Sequence, residues 1–216
     1  MVFNIGAACS RPAVANDVTV PDPAPAEGVE VTDDSGTASA VFAGGCFWCT
    51  EAVFEAVKGV GAVVSGYAGG AADDANYQLV SAGATEHAEA IRIDYDPEQT
   101  SFGELLKIFF TVAHDPTQLN RQGPARGKQY RSAAFYMNDA QKQTTANYIA
   151  ELDRAGLYSD PIVTTLEPLT VFHEAEGYHQ DYVKANPGNG YVVVNALPKV
   201  EKLREKYPDK VAEDTD

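Results

Sequence analysis

Ala38-Ser39-Ala40-Val41-Phe42-Ala43-Gly44-Gly45-Cys46-Phe47-Trp48-Cys49 reads as a buried strand, a tight glycine turn and the opening of a helix. Residues 38–43 are short, apolar and closed by two glycines, the pattern of an interior strand. Val53, Phe54 and Val57 then recur at helical spacing, which predicts a helix over 46–58. Outward from this unit, residues 60–67 are strand-like and 66–76 form a Gly/Ala/Asp loop. Residues 86–95 alternate cleanly and stop at Asp96-Pro97, as a strand does. Phe102, Leu105, Leu106, Phe109 and Phe110 mark an amphipathic helix. A long polar loop over 114–130 follows, then a strand over 131–137, a helix capped by Asn138 and running to about residue 155, and a strand over 162–169. A tyrosine-rich segment at 178–191 leads to a last helix that ends near Tyr207-Pro208. Strands and helices mix without a strict βαβ rhythm, so the fold class is α+β: one domain, a mixed β-sheet with helices packed on it, in a plait-like two-layer sandwich.

The 216 residues, 44% of them hydrophobic, suffice for one sizeable core. No run of about 18 apolar residues marks a transmembrane helix. The formal net charge of −15 repels phosphate backbones, so nucleic acid is not an expected partner. Residues 1–36 differ from the rest. Small residues before Cys9 look like the end of a lipoprotein signal, and Ala13-Val14-Ala15 resembles a cleavage site. No Lys or Arg precedes the apolar run, however, so an export signal and a plain leader stand as equal readings. They place the protein in the bacterial envelope or periplasm, or in the cytoplasm. Three prolines and six acids between Asp17 and Gly36 read as a flexible linker. The catalytic domain is therefore expected over 37–216.

Three cysteines, Cys9, Cys46 and Cys49, are too few for a disulfide scaffold in a chain of this length. The C-x-x-C pair reads as redox or metal chemistry. A strand, glycine turn and helix put Cys46 at a helix N-terminus, where unpaired N–H groups are expected to lower the thiol pKa below about 8.5. Cys49, three residues on, shares that helix face. A pair of buried structural cysteines, or half of a zinc site, are the plainer alternatives. No second Cys/His pair has ligand spacing, so no metal is expected. In the strand over 86–95, His87, Glu89, Ile91, Ile93 and Tyr95 share one face. A carboxyl in register with isoleucines is desolvated and stays protonated near neutral pH, so Glu89 can give a proton to a substrate oxygen. The plainer alternative pairs it with a buried Arg or His. Tyr77, Tyr130, Tyr178 and Tyr182 are grouped around these segments. They can hold a polar oxygen, or serve only as core-edge residues.

Gly44-Gly45-Cys46-Phe47-Trp48 resembles the signature of peptide methionine sulfoxide reductases of the A type. The same order of motifs continues with Gly66-Tyr67-Ala68-Gly69-Gly70, residues 83–97, His114-Asp115-Pro116, Arg121-Gln122-Gly123-Pro124, Gln129-Tyr130-Arg131-Ser132 and Ala175-Glu176-Gly177-Tyr178-His179-Gln180-Asp181-Tyr182. The resemblance implies that Cys46 is the nucleophile and Glu89 the acid, that Tyr77 and Tyr130 bind the sulfoxide oxygen, and that Phe47 and Trp48 wall the S-methyl group. It implies reduction of the S epimer of methionine sulfoxide, free or in oxidised proteins and peptides, with thioredoxin as reductant and no organic cofactor. The chain is expected to act as a monomer. Two departures stand out: Ala125 where the family often has Asp, and no cysteine after Cys49. Cys49 is then the expected resolving residue, ahead of Cys9 or an external thiol, because no long loop must close. Two rival functions remain at this level, a thioredoxin-like disulfide oxidoreductase and a non-catalytic binder of Met-containing peptides.

Overall fold

A computed structural model describes residues 19–213. The readings that fall on Cys9 and the signal remnant lie outside the described residues. Strand β1 (Ala38–Gly44) leads into helix α1 (Phe47–Glu55), strand β2 (Val60–Ala68), a short helix α2 (Tyr77–Ser81) and strand β3 (Ala88–Tyr95). Helix α3 (Phe102–Ile108) continues into a wider π-helical turn, Phe109–Ala113. Next come a miniature hairpin, β4 (Arg121–Gln122) with β5 (Ala125–Arg126), strand β6 (Ser132–Tyr136), helix α4 (Asp139–Ala155), and strands β7 (Thr165–Pro168) and β8 (Phe172–Glu174). Helices α5 (Tyr182–Ala185), α6 (Gly190–Asn195) and α7 (Leu197–Lys206) complete the order.

The main sheet runs β7-β6-β1-β3-β2-β8. Its neighbours are antiparallel except β6 and β7. Its central strands β6-β1-β3-β2, with α1 between β1 and β2 and α3 between β3 and β6, are a pair of split βαβ units, the plait of the sequence reading. The alternation in β3 falls as expected. Ile91, Ile93 and Tyr95 enter the main core with Phe42, Phe54 and Phe109, whereas Ala88 and Ala90 face the other side with Val41 and Phe135. Phe42 stacks on Phe109 at 4.7 Å, pinning β1 to the π-helical turn. Asn138 caps α4 by accepting from the Gln141 N–H, and Gly156 closes it in the left-handed conformation. Among the described residues, no helix is long and apolar enough to cross a membrane.

Three readings change. The predicted 114–130 loop contains the β4–β5 hairpin and a 3-10 turn, Lys128–Tyr130. The short helix α2 has too few residues for periodicity to reveal. Residues 19–36, read as a flexible linker, lie against the domain. Val29 is buried, the Tyr148 hydroxyl donates to the Pro21 carbonyl at 3.0 Å, and the Phe102 N–H donates to Glu30 at 3.0 Å. A segment too polar to form its own core here uses the domain's core. Glu30 also sets a carboxylate at the N-terminus of α3, where the helix favours negative charge.

Helix α1 carries a destabilising group on its inner side. Glu51 is 1% exposed, and the Ser65 hydroxyl and Asp181 N–H near its carboxyl do not make up for the lost hydration. Burial, and then the charge of Glu55, push its pKa from 4.5 up to about 7. An acid whose folded-state pKa is raised loses stability as pH climbs from its unfolded value through its folded one. Glu51→Gln should therefore unfold like the parent near pH 4.5. Above pH 7 it should be more stable, by on the order of 2–3 kcal/mol. Thermal unfolding at both pH values checks this, and an equal difference at the two would contradict it.

Candidate active site

The turn before α1 requires glycine. Gly45 has φ +90°, and a Cβ there would sit 2.4 Å from the Gln122 side chain. This close approach delivers Cys46 to the N-cap of α1, half-buried and facing a cavity of about 240 Å³. Phe47, Trp48, Tyr77, Glu89, Ala125, Tyr130 and Tyr191 line the same cavity, with Pro124. Six of the seven site residues expected from the sequence therefore converge on it, and the seventh, Cys49, lies one helical turn behind Cys46. The cavity has room for one side chain rather than a large ligand. A larger space of about 730 Å³ lies between residues 22–30 and α3, but no cysteine or histidine lines it.

Glu89 is 2% exposed and has neither Arg nor His as partner. Its carboxyl accepts from the Phe47 N–H at 3.1 Å, the first amide of α1. Burial, reinforced by the charge of Cys46, holds its pKa well above the usual carboxylate range, and the Phe47 N–H only partly offsets this. The site thus favours the protonated form of Glu89, the form that can donate. Burial and the proximity of Glu89 and Cys46 raise the Tyr130 and Tyr77 phenols, so both keep a proton to donate.

The thiols depart from the sequence reading. Cys46 and Cys49 are both reduced, and their sulfurs share a hydrogen bond. That bond, with burial, pushes Cys46 well above the ordinary thiol range, although the Trp48 N–H favours its anion. The same bond brings Cys49 down to about 7 against burial, helped by the Lys199 charge and the Tyr191 hydroxyl. The neighbouring thiol thus outweighs the helix N-terminus, and of the two sulfurs Cys49 is the one more readily ionised.

A second layer fixes the aromatic walls. The Trp48 indole N–H donates to His179 Nδ1 at 3.1 Å, and its ring stacks on Tyr182 at 3.8 Å. Glu176 accepts from the Tyr77 N–H at 3.0 Å and from the Tyr67 hydroxyl at 2.8 Å. His87 is structural, bonded to the Gly70 and Ala71 backbone. Sequence reasoning gave no role to Tyr191, Glu176 or Lys199, although Tyr191 ends the tyrosine-rich segment and Glu176 lies in the 175–182 motif. Ala125 stands at the apolar rim of the cavity, and Arg126 beside it is exposed.

Residues 38–211 match the family model of peptide methionine sulfoxide reductase. Peptide methionine sulfoxide reductase MsrA 2 of Mesorhizobium japonicum is 54% identical over 173 residues, 80% of this chain and 89% of that protein. Its namesake in Synechocystis is 51% identical over 192 residues, covering 89% and 90%. The crystal structure of reduced Mxr1 from Saccharomyces cerevisiae is similar at TM-score 0.67 and 33% identity, covering 75% of this chain and 92% of that one. Methionine sulfoxide reductase A of Corynebacterium diphtheriae is similar at TM-score 0.63 and 33% identity, covering 79% and 85%.

Proposed function

Because the chain belongs to the peptide methionine sulfoxide reductase family, we propose that its 240 Å³ cavity is where the sulfoxide is reduced, with Cys46 as nucleophile and Glu89 as acid. The enzyme is an oxidoreductase that returns methionine sulfoxide to methionine. The observation that carries the site assignment is the pairing of a half-buried thiol with a desolvated carboxyl on one small cavity, the carboxyl tied to the Phe47 N–H at 3.1 Å. A disulfide oxidoreductase has no use for that acid.

The geometry supports the following reaction. Tyr77 and Tyr130 donate to the sulfoxide oxygen, while Phe47 and Trp48 pack on the S-methyl group, which selects the S epimer. Cys46 passes the proton it shares with Cys49 to that thiol, and the freed Cys46 thiolate attacks the sulfoxide sulfur. Glu89 protonates the oxygen; the S–O bond of the substrate breaks, methionine leaves, and Cys46 holds the oxygen as a sulfenic acid. The substrate sulfur is reduced by two electrons and Cys46 oxidised by two. Cys49 then condenses with the sulfenic acid, releasing water, and thioredoxin reduces the Cys46–Cys49 disulfide by exchange. Substrates are free methionine sulfoxide and the same group in oxidised proteins, and one chain supplies every residue named in these steps.

Cys49→Ser separates the two halves. Without reductant it should release one methionine per chain, as the parent does. The parent should end with a Cys46–Cys49 disulfide by mass spectrometry. The variant should keep partial turnover with a small dithiol and lose most of its turnover with thioredoxin. Undiminished thioredoxin-dependent turnover in the variant would remove Cys49 from the resolving role.

A further inference from the structure

Behind the catalytic cavity lies a second, small one of about 50 Å³, lined by Cys46, Cys49, Gln122, Tyr191, Asn195 and Lys199. Lys199 reaches it from α7, half-buried, and among the described residues makes no ion pair with a carboxylate. An ammonium drawn into a site without a carboxylate has lost hydration, and the thiol pair facing the same space is its natural counter-charge. Burial lowers the Lys199 pKa, and Cys49 and Cys46 push it back up.

Cys49 is 2% exposed, packed with Ala52, Val183, Val192 and Ala196. Such a site opposes a thiolate, yet only the thiolate attacks a sulfenic acid. In the resting enzyme the strongest support for a Cys49 anion is the hydrogen bond from the Cys46 thiol. That donor disappears when Cys46 takes up oxygen. What then faces Cys49 is Lys199 from α7 and the Tyr191 hydroxyl from α6 in favour of the anion, with Glu89 from β3 against it. Tyr182 from α5 shares the apolar cluster, and Lys202, next along α7, bears on Lys199.

We propose that Lys199 is a positioning residue for the second half of the cycle: its ammonium, facing Cys49 across the small cavity, holds Cys49 as the thiolate that resolves the Cys46 sulfenic acid. The proposal rests on the resolving role given to Cys49 above. In the step, the Cys49 thiolate attacks the Cys46 sulfur, the S–S bond forms and the Cys46 S–O bond breaks. The oxygen leaves as hydroxide and takes up the proton that Cys49 gave up, becoming water. Cys46 is reduced by one electron equivalent and Cys49 oxidised by one, so no outside oxidant is needed.

The test is a single turnover of the full chain without reductant, in the parent, Lys199→Gln and Lys199→Arg. Methionine release is timed at about pH 9, and disulfide formation is followed across pH as the loss of dimedone-reactive sulfenic acid. Lys199→Gln should release methionine at the parental rate. Its disulfide formation should need about one pH unit more alkali, and so run about tenfold slower at neutral pH. Lys199→Arg should restore most of the parental profile. An unchanged pH profile in Lys199→Gln would overturn the proposal and leave Cys49 as resolving residue. Methionine release slowed in step with disulfide formation would also overturn it, because the charge would then serve the whole site. A parent that forms no Cys46–Cys49 disulfide would remove the resolving assignment itself, and the role of Lys199 with it.

Discussion

Cys46→Ser should reduce sulfoxide at less than roughly 10⁻⁴ of the parental rate, the scale on which removal of a covalent nucleophile acts. The change replaces one atom at the N-cap of α1 and leaves the Gly45 turn and the Phe47 contact to Glu89 in place. A serine hydroxyl is far too basic to supply an anion near neutral pH, and a hydroxyl oxygen cannot be oxidised to a sulfenic acid. A small dithiol does not rescue it, because the lost step precedes recycling. Steady-state reduction of a methyl sulfoxide with dithiol checks this. Cys49 offers no substitute nucleophile: it is buried and lines only the small rear cavity, not the one that holds Glu89.

Glu89→Gln should slow the reaction by roughly 10²–10⁴-fold, the usual contribution of a positioned general acid. The amide keeps the shape of the carboxyl and can still accept from the Phe47 N–H, so the loss reflects the proton rather than the packing. Substrate affinity should change far less than kcat. The pH dependence carries the sign. Glu89 works when protonated, and burial holds its pKa well above the ordinary carboxylate range. Parental activity therefore persists above the range where an ordinary carboxyl ionises and falls as pH rises through that raised value. The variant should lack this alkaline limb. A variant with near-parental kcat at pH 8 would contradict the acid role.

What could be read in the sequence, and what could not, divides along local and distant causes. The turn before Cys46 and the isoleucine register of Glu89 are local, and both hold in the structure. The mixed sheet with helices packed on it also follows from local periods, but the order of its strands does not. That β1 lies between β3 and β6 is a long-range pairing, with Phe42 opposite Ile91 on one side and Ala134 on the other. The acidity of the thiols was misjudged for the same reason. A helix N-terminus is visible in sequence, whereas a hydrogen bond between the two sulfurs outweighs it and depends on their mutual position. Lys199 sits on a helix whose polar composition reads as a solvated face; only the packing of α7 on α1 brings its side chain to Cys49. Glu30 looked like one acid among several in a linker, until α3 supplied an unpaired N–H for it.

The central claim is that the sulfoxide oxygen arrives on the sulfur of Cys46. Full-length Cys49→Ser protein is given one equivalent of methionine (S)-sulfoxide without reductant, trapped with dimedone and mapped by mass spectrometry. The account predicts one methionine released per chain and a single dimedone adduct, on the peptide that carries Cys46. Methionine release with no adduct on Cys46, or an adduct that forms equally well from the R epimer, would contradict it.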